Sequence, residues 1–197
     1  MTRPALRIDS AELRLVRMAL LTPFTISTGT VTEKVFPLLT LRSGKLEGYG
    51  EGVMDVLPDY LDEVVSGAMA LLRDLLLPQV VGKDFSNPQE LAAILAPWRG
   101  NYMTRGMIDM AFWDLWAKSL DLPLQAVLGG TGGAIDVGVS LGIGPIDDTL
   151  SRVAAHVALG YKRIKLKIKP GHDVDLVRAV RTAFPDTPLS VDANSCY

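Results

Sequence analysis

Alternating apolar and polar positions open the chain and predict an antiparallel β-sheet. Two strand-like runs, over residues 8–17 and 35–43, flank residues 23–30, which are too polar and too rich in turn residues to be core. We therefore expect residues 23–30 to form a long loop. Residues 46–53 are a third strand-like run, and its three glycines allow a bulge or the close approach of another backbone.

Helical periodicity follows these strands. Pro58 suits a first helical turn, and apolar residues then recur every three to four positions before Pro78 stops the pattern: Leu61, Val64, Val65, Ala68, Leu71, Leu72 and Leu75. Asn87 is a candidate N-cap that opens a short helix toward Ala96. Residues 104–120 are apolar on nearly all sides, which predicts a buried helix. Residues 1–130 are therefore predicted to be an α+β domain.

The pattern changes from residue 131 onward to an alternation of strands and helices. Strands are predicted over residues 135–141, 162–169 and 189–194, with helices over 147–159 and 173–184. Such alternation favours parallel strands joined by helical crossovers, as in a (β/α) barrel. A closed barrel needs about eight strands and roughly 250 residues. Residues 131–197 would therefore be the first three βα units of a truncated, TIM-like barrel.

Composition narrows the functional classes. The 20 basic and 22 acidic residues nearly cancel, which leaves no basic footprint for nucleic acid. Charges and a proline interrupt the most apolar segment, residues 69–81, so no membrane span is expected. The single cysteine, Cys196, excludes an intrachain disulfide and suits a reducing compartment. We expect a cytoplasmic protein with a small-molecule partner.

The strongest chemical signal lies in the second strand of this region. Apolar side chains occupy one parity of residues 163–169, and cations occupy the other: Arg163, Lys165, Lys167 and Lys169. One reading is an edge strand with a solvated lysine face that blocks aggregation. Predicted helices on both sides favour an interior strand instead, with its cations pointing into the barrel. Lysines placed there need an anion as partner.

The third strand of the region supplies that anion. Asp192 and Asn194 share one parity and lie at the strand's C-terminal end, where the active sites of barrel enzymes gather. Alone, Asp-x-Asn would more simply cap a turn. Joined to the lysine strand, it favours a functional site. Ser140, near the end of the first strand, is either a substrate contact or only a small packing residue.

These motifs resemble a known enzyme superfamily. Lys165-Leu166-Lys167, followed one βα unit later by Val191-Asp192-Ala193-Asn194, is similar to the Lys-x-Lys strand and the first metal-ligand strand of the enolase superfamily, in its mandelate racemase and muconate lactonizing enzyme branch. Residues 106–115 resemble the helix of the family's N-terminal capping domain, and residues 23–30 resemble its specificity loop. The resemblance covers essentially all 197 residues. It favours the o-succinylbenzoate synthase and N-acylamino acid racemase group, with dipeptide epimerases and muconate cycloisomerases as related alternatives.

The resemblance implies a reaction and a set of roles. The family removes a proton α to a carboxylate and forms an enediolate that Mg²⁺ or Mn²⁺ stabilises. Lys167 would be the base, Lys165 its cationic neighbour that steers the substrate carboxylate, and Asp192 one of three carboxylate metal ligands. Asn194 would lie near the metal or the substrate. Substrate contacts are also expected from the specificity loop, at Phe24, Thr25 and Ser27.

In a synthase of this group, proton loss would be followed by loss of hydroxide, giving o-succinylbenzoate for menaquinone synthesis. In a racemase, a second lysine would reprotonate the opposite face. We expect the complete protein to be a homo-oligomer that acts on a small carboxylate.

The chain also departs from the family pattern. The other two metal ligands and the opposing lysine would be expected on later barrel strands, so we expect a fragment with doubtful activity of its own. Apolar side chains of an unfinished barrel's inner face would meet water: Val137, Val139, Leu141 and Val191. Two alternatives of another class stay open. One is a protein that binds a small anion through Lys165 and Lys167, and the other is an interaction domain that uses the open edge of the barrel.

Overall fold

The computed structural model describes residues 5–197, which form two compact units. The first unit contains the described residues up to Met18 together with Val35–Gly132, and the second contains Ala19–Lys34 and Gly133–Tyr197. The boundary expected near residue 130 therefore has a counterpart at residue 132, but residues 19–34 lie with the second unit. None of the described helices is long and apolar enough to cross a membrane.

Three antiparallel strands are the longest in the fold: β2 (Ser10–Ile26), β3 (Gly29–Ser43) and β4 (Leu46–Glu51). They lie in the order β2-β3-β4. The long loop expected over residues 23–30 is wrong, because β2 continues to Ile26 and β3 begins at Gly29. The two strands stay paired almost to a tight turn, so the polar residues there form a hairpin tip. The polar composition of these residues correctly indicated that they lie outside the core. It did not mean that the two strands are unpaired there.

A short antiparallel pair, β1 (Leu6–Arg7) with β5 (Asp84–Phe85), accompanies four helices in the first unit. These helices are α1 (Val65–Leu71), α2 (Pro88–Leu95), α3 (Tyr102–Ser119) and α4 (Leu124–Val127). The helix expected from Pro58 begins only at Val65. A π-helical turn over Leu72–Leu76 continues it, followed by a 3-10 turn over Leu77–Gln79.

The apolar stripe predicted for the first helix is partly wrong. Leu61 precedes the helix and is exposed, and Leu75 is also exposed. Leu72 is buried as predicted, and Leu76 is buried in place of Leu75, because the wider π-helical turn changes which side chains face the core. The predicted cap of α2 is confirmed, since the side chain of Asn87 accepts a hydrogen bond from the Glu90 N–H at 3.2 Å.

The core of the first unit forms where α3 packs on β4. Buried α3 residues include Met107, Ile108, Ala111, Phe112 and Leu115. At Gly48 and Gly50 of β4, an added Cβ would collide with the backbone of α3. The glycines predicted to allow close approach therefore do so here.

The second unit has the predicted alternation: β6 (Gly138–Leu141), α5 (Ile146–Ala158), β7 (Arg163–Lys167), α6 (Val174–Ala183) and β8 (Leu189–Asp192). The strands are parallel in the order β6-β7-β8. Each strand is shorter than its expected range. Residues 135 and 137 lie before β6 and are exposed.

Side-chain parity in this sheet separates an apolar face from a polar face. The apolar face forms a second core with α5 and α6 through Leu141, Val153, Ile164, Leu166, Leu176 and Val180. Val139 pairs with Ile164, and Val191 pairs with Leu166, so both lie on this helix-facing side. Placing Val139, Leu141 and Val191 on an inner barrel face was therefore wrong. Leu141 is buried, whereas Val191 is about half-exposed.

Candidate active site

The polar face of the β6-β7-β8 sheet carries the predicted site residues. Parallel register places Ser140 beside Lys165, Lys165 beside Ser190, and Lys167 beside Asp192. Partners in register point to the same side of a sheet. The expectation that both lysines share a face with Asp192 is therefore confirmed, and Lys167 is the nearer of the two to the C-terminal end of β7.

Both lysines converge on one carboxylate oxygen. The Nζ atoms of Lys165 and Lys167 lie 2.6 Å and 2.8 Å from Asp192 Oδ2. Their depths differ, since 39% of the Lys165 side chain is exposed but only 10% of the Lys167 side chain. A buried ammonium is tolerated when it is paired and hydrogen-bonded. Lys167 meets that condition with two acceptors, Asp192 Oδ2 and Asn194 Oδ1, the latter at 2.7 Å.

The predicted strand included Asn194, but β8 ends at Asp192 and Asn194 lies just after it. Its φ of 49° is left-handed, a conformation that asparagine tolerates better than most residues. The turn closes locally, because the Asn194 N–H donates to Asp192 Oδ1 at 2.9 Å. The turn-capping interpretation of Asp-x-Asn therefore holds, and the same turn also aims the Asn194 side chain at Lys167.

The electrostatics of Asp192 follow from these contacts. Hydrogen bonds from Lys165, from Lys167 and from the Asn194 N–H hold the pKa of the carboxyl group well below its usual range. Asp192 is therefore an anion at any physiological pH. We describe Lys165, Lys167, Asp192 and Asn194 together as the lysine–aspartate cluster.

The hairpin tip contacts the same end of the sheet. Ser27 Oγ donates to the backbone oxygen of Ala193 at 2.9 Å, and Thr25 O accepts from the Ile143 N–H at 2.8 Å. Phe24 and Thr25 lie against Gly142, in the loop that follows β6. The predicted substrate-contact residues Phe24, Thr25 and Ser27 thus lie within the second unit, and Ser27 bonds to the residue that separates Asp192 from Asn194.

Sequence reasoning missed Gly142 and the carbonyl of Ala193. The glycine follows a short strand in the run Leu141-Gly142-Ile143-Gly144, which looks like an ordinary loop. Its neighbours come from residues about 120 positions earlier in the chain, so no local pattern reports them. Ser140, in contrast, is exposed on the polar face, in register with Lys165.

An open groove of the second unit lies elsewhere. It has a volume of about 770 Å³ and is lined mainly by α6 and β8, with Val174, Val177, Leu189 and Val191 among its side chains. Most of these side chains are apolar, and Val191 lies on the sheet face opposite to Asp192. We therefore place the candidate active site at the lysine–aspartate cluster, where charged groups converge.

Metal ligands are incomplete in the part of the chain that is described. Among residues 5–197, no group of three or more His, Cys, Asp or Glu side chains could hold a metal ion. Asp192 is a single carboxylate, and both of its oxygens already accept hydrogen bonds. A hard cation such as Mg²⁺ is bound by about six oxygen ligands. The described residues therefore do not by themselves form a magnesium site.

Comparisons with known proteins agree with the resemblance. Residues 10–129 match the model of the mandelate racemase / muconate lactonizing enzyme N-terminal domain. The chain is 51% identical over 193 residues to an N-succinylamino acid racemase of Thermus thermophilus. That alignment covers 98% of this chain and 52% of the racemase. The chain is 45% identical over 195 residues to an o-succinylbenzoate synthase of Geobacillus kaustophilus, with the same shares.

A solved structure is similar over the same extent. A member of the enolase superfamily from Listeria innocua superposes with a TM-score of 0.89 at 35% identity, covering 98% of this chain and 52% of that one. The chain thus spans about half the length of the relatives that it matches.

Proposed function

Because the chain belongs to the mandelate racemase and muconate lactonizing enzyme family of the enolase superfamily, we propose that it supplies the base for removing a proton next to a carboxylate. In this proposal, residues 1–130 are the capping domain, and residues 131–197 are the first three βα units of a (β/α) barrel. The polar face of β6-β7-β8 would line the barrel interior at the C-terminal ends of the strands, where barrel enzymes hold their active sites.

One observation carries the proposal, namely the convergence of Lys165 and Lys167 on Asp192. In its amine form, Lys167 would accept the α-proton at Nζ. Two acceptors, Asp192 Oδ2 and Asn194 Oδ1, already surround this atom and would hold the resulting ammonium. Their placement would stabilise the protonated lysine as it forms, because it requires no rearrangement of these acceptors.

Lys165 would provide the positive charge that holds the substrate carboxylate. Its side chain is more exposed than that of Lys167, and it lies two residues closer to the start of β7. An incoming carboxylate could therefore pair with Lys165 while Lys167 keeps its buried partners. Lysine offers a compact point charge for this purpose.

We propose that Asp192 supplies one ligand to Mg²⁺ or Mn²⁺ in the complete barrel. Bound there, a divalent cation would stabilise negative charge on the substrate carboxylate. A carboxylate oxygen is the donor type that such hard cations take. The roles of Lys165 and Lys167 do not depend on the cation. The described residues offer the cation a single carboxylate.

The proposed substrates are an N-succinylamino acid for racemisation and the precursor of o-succinylbenzoate for dehydration. Relatives at 51% and 45% identity carry these two activities by name. Both reactions begin with loss of a proton α to a carboxylate, so the lysine–aspartate cluster suits either. The remaining steps would depend on residues of later barrel strands.

The test uses a chimera in which residues 1–197 replace the matching half of the Thermus thermophilus racemase. Exchange of the α-proton of an N-succinyl-L-amino acid for deuterium is followed by NMR with Mg²⁺ or Mn²⁺ present. Dehydration of 2-succinyl-6-hydroxy-2,4-cyclohexadiene-1-carboxylate is followed in parallel. Lys167→Ala should lower α-proton exchange by roughly 10²–10⁴-fold, the usual contribution of a positioned base.

Lys169→Ala is the matched control. Lys169 follows β7 on the same parity, is exposed, and lies outside the lysine–aspartate cluster. This variant should exchange the α-proton at nearly the wild-type rate. Undiminished exchange in Lys167→Ala would exclude Lys167 as the base, and an inactive wild-type chimera would count against the proposed function itself.

A further inference from the structure

The hairpin tip (residues 24–30) is attached to two strand ends at once. The Ile143 N–H, just after β6, donates to Thr25 O at 2.8 Å. Ser27 Oγ, in the turn of the tip, donates to Ala193 O just after β8, at 2.9 Å. The hydroxyl groups of Thr25 and Thr30 lie 2.9 Å apart and join the two sides of the tip. The tip is therefore held as one piece.

Gly142 makes the first of these attachments possible. It is buried, and a Cβ added there would lie 3.0 Å from both the N and the O of Thr25 and 3.3 Å from the Phe24 ring. These neighbours are mainly backbone atoms, which cannot rotate away as a side chain can. The φ of Gly142 lies outside the left-handed region, so its backbone conformation does not require glycine. The close approach of the Thr25 backbone favours glycine, because any Cβ would force that backbone to move by a few tenths of an ångström.

Ser27 makes the second attachment, and this changes what it can do. A serine hydroxyl has one proton to donate, and that proton goes to Ala193 O. Ser27 can therefore offer a substrate only its lone pairs. Its contact with the strand end is the stronger role, because it fixes the tip one residue from Asp192 and from Asn194.

We infer that Gly142 and Ser27 form a latch that fixes the hairpin tip, the segment that resembles the family's specificity loop, beside the lysine–aspartate cluster. Gly142 and Ser27 are positioning residues, and Phe24 and Thr25 are the groups that they place. The latch itself rests on the contacts above. The assignment of the latched tip to a substrate site rests on the proposed function.

The first experiment measures the latch in the 197-residue chain. The hydrogen-exchange rate of the Ile143 amide is measured at single-residue resolution. The protection of this amide is its intrinsic exchange rate divided by the measured rate. Gly142→Ala should lower this protection by roughly tenfold, because the Thr25 backbone must shift by a few tenths of an ångström and its hydrogen bond from the Ile143 N–H weakens. Gly144→Ala is the matched control. Its Cβ would first meet the end of the Arg152 side chain at 3.8 Å, so protection should be unchanged. Wild-type protection of Ile143 in Gly142→Ala would overturn the latch.

The second experiment measures the role of the tip in the chimera. Gly142→Ala and Ser27→Ala should raise KM by roughly tenfold with kcat nearly unchanged, since Lys167 on β7 is not displaced. Ser27→Thr keeps the hydroxyl group and should restore the wild-type KM. A merely destabilising change would lower the active fraction, and with it kcat, while leaving KM alone.

The two failures are distinguishable. Lost protection of Ile143 with an unchanged KM would overturn the assignment of the tip to the substrate site. Absence of α-proton exchange in the wild-type chimera would refute the proposed function, whereas the amide exchange of Ile143 decides the latch in either case.

Discussion

Asp192 accepts hydrogen bonds from two ammonium groups and one backbone N–H, and this arrangement has a consequence for stability. Because its pKa is depressed in the folded chain, Asp192 stabilises the fold above the ordinary carboxyl value of 3.8. That contribution is lost as the pH falls below this value toward the lower folded pKa. Asp192→Asn should cost about 1 kcal/mol of unfolding free energy at pH 7, because the groups are partly exposed. Urea denaturation at several pH values measures this difference.

The stabilisation by Asp192 should depend on pH in one direction only. The difference between wild type and Asp192→Asn should be constant from pH 7 to about pH 5 and should shrink below pH 4. Asp175→Asn is the matched control, because Asp175 pairs with Arg178 at a surface where 85% of the Asp175 side chain is exposed. It should have little effect at any pH. A difference for Asp192→Asn that does not vary with pH would contradict the ion pairing.

Packing of α3 on β4 depends on the missing side chains of β4. At Gly50, a Cβ would collide with the carbonyl group of Met107, which belongs to the α3 backbone. Gly50→Ala must therefore push the helix and the strand apart, at a cost of about 1–3 kcal/mol, as for other overpacked cores. The expected result is a lower Tm, measured by circular dichroism.

The control for this prediction is Gly106→Ala, within α3 itself. A Cβ at Gly106 meets nothing within 4 Å, and alanine favours the helix over glycine by roughly 0.5–1 kcal/mol. Gly106→Ala should therefore raise Tm while Gly50→Ala lowers it. Equal shifts in one direction would show that the close approach at β4 is not what requires glycine.

The two units of the molecule differ in the size of their cores. Within residues 5–197, the first unit has a cluster of 20 buried apolar residues, and the second has a cluster of six. Local stability rises with the amount of buried apolar contact. Backbone amides of β7 should therefore exchange with deuterium faster than those of α3. Mass spectrometry of peptide fragments measures this deuterium uptake. Slower exchange in β7 than in α3 would show that core size does not set the order of opening.

Periodicity in the sequence predicted most of the elements of this protein. The alternation of Ile164, Lys165, Leu166 and Lys167 placed the lysines on one face of a strand, because side chains of a strand alternate by geometry. The cap at Asn87 was equally readable, since it depends on residues three positions apart. Local chemistry sufficed in both cases.

Element boundaries and the hairpin were less readable. Leu61 and Leu75 matched a helical stripe, yet both are exposed, because the helix start and the π-helical turn depend on packing rather than on spacing. The polar composition of residues 23–30 suggested a loop, although β2 and β3 stay paired up to their tip. Hydrogen bonding between strands does not require apolar side chains.

The charges of the candidate site could be predicted from the order of residues along the chain, which has two lysines on one strand parity and an aspartate one βα unit later. The fold is needed to bring both lysines to a single oxygen of Asp192 and to turn Asn194 toward Lys167. It also decided that Gly142 lies under Thr25. The physical reason is range, because strand parity is set by neighbouring residues, whereas these contacts join segments that are 25 to more than 100 residues apart in the chain.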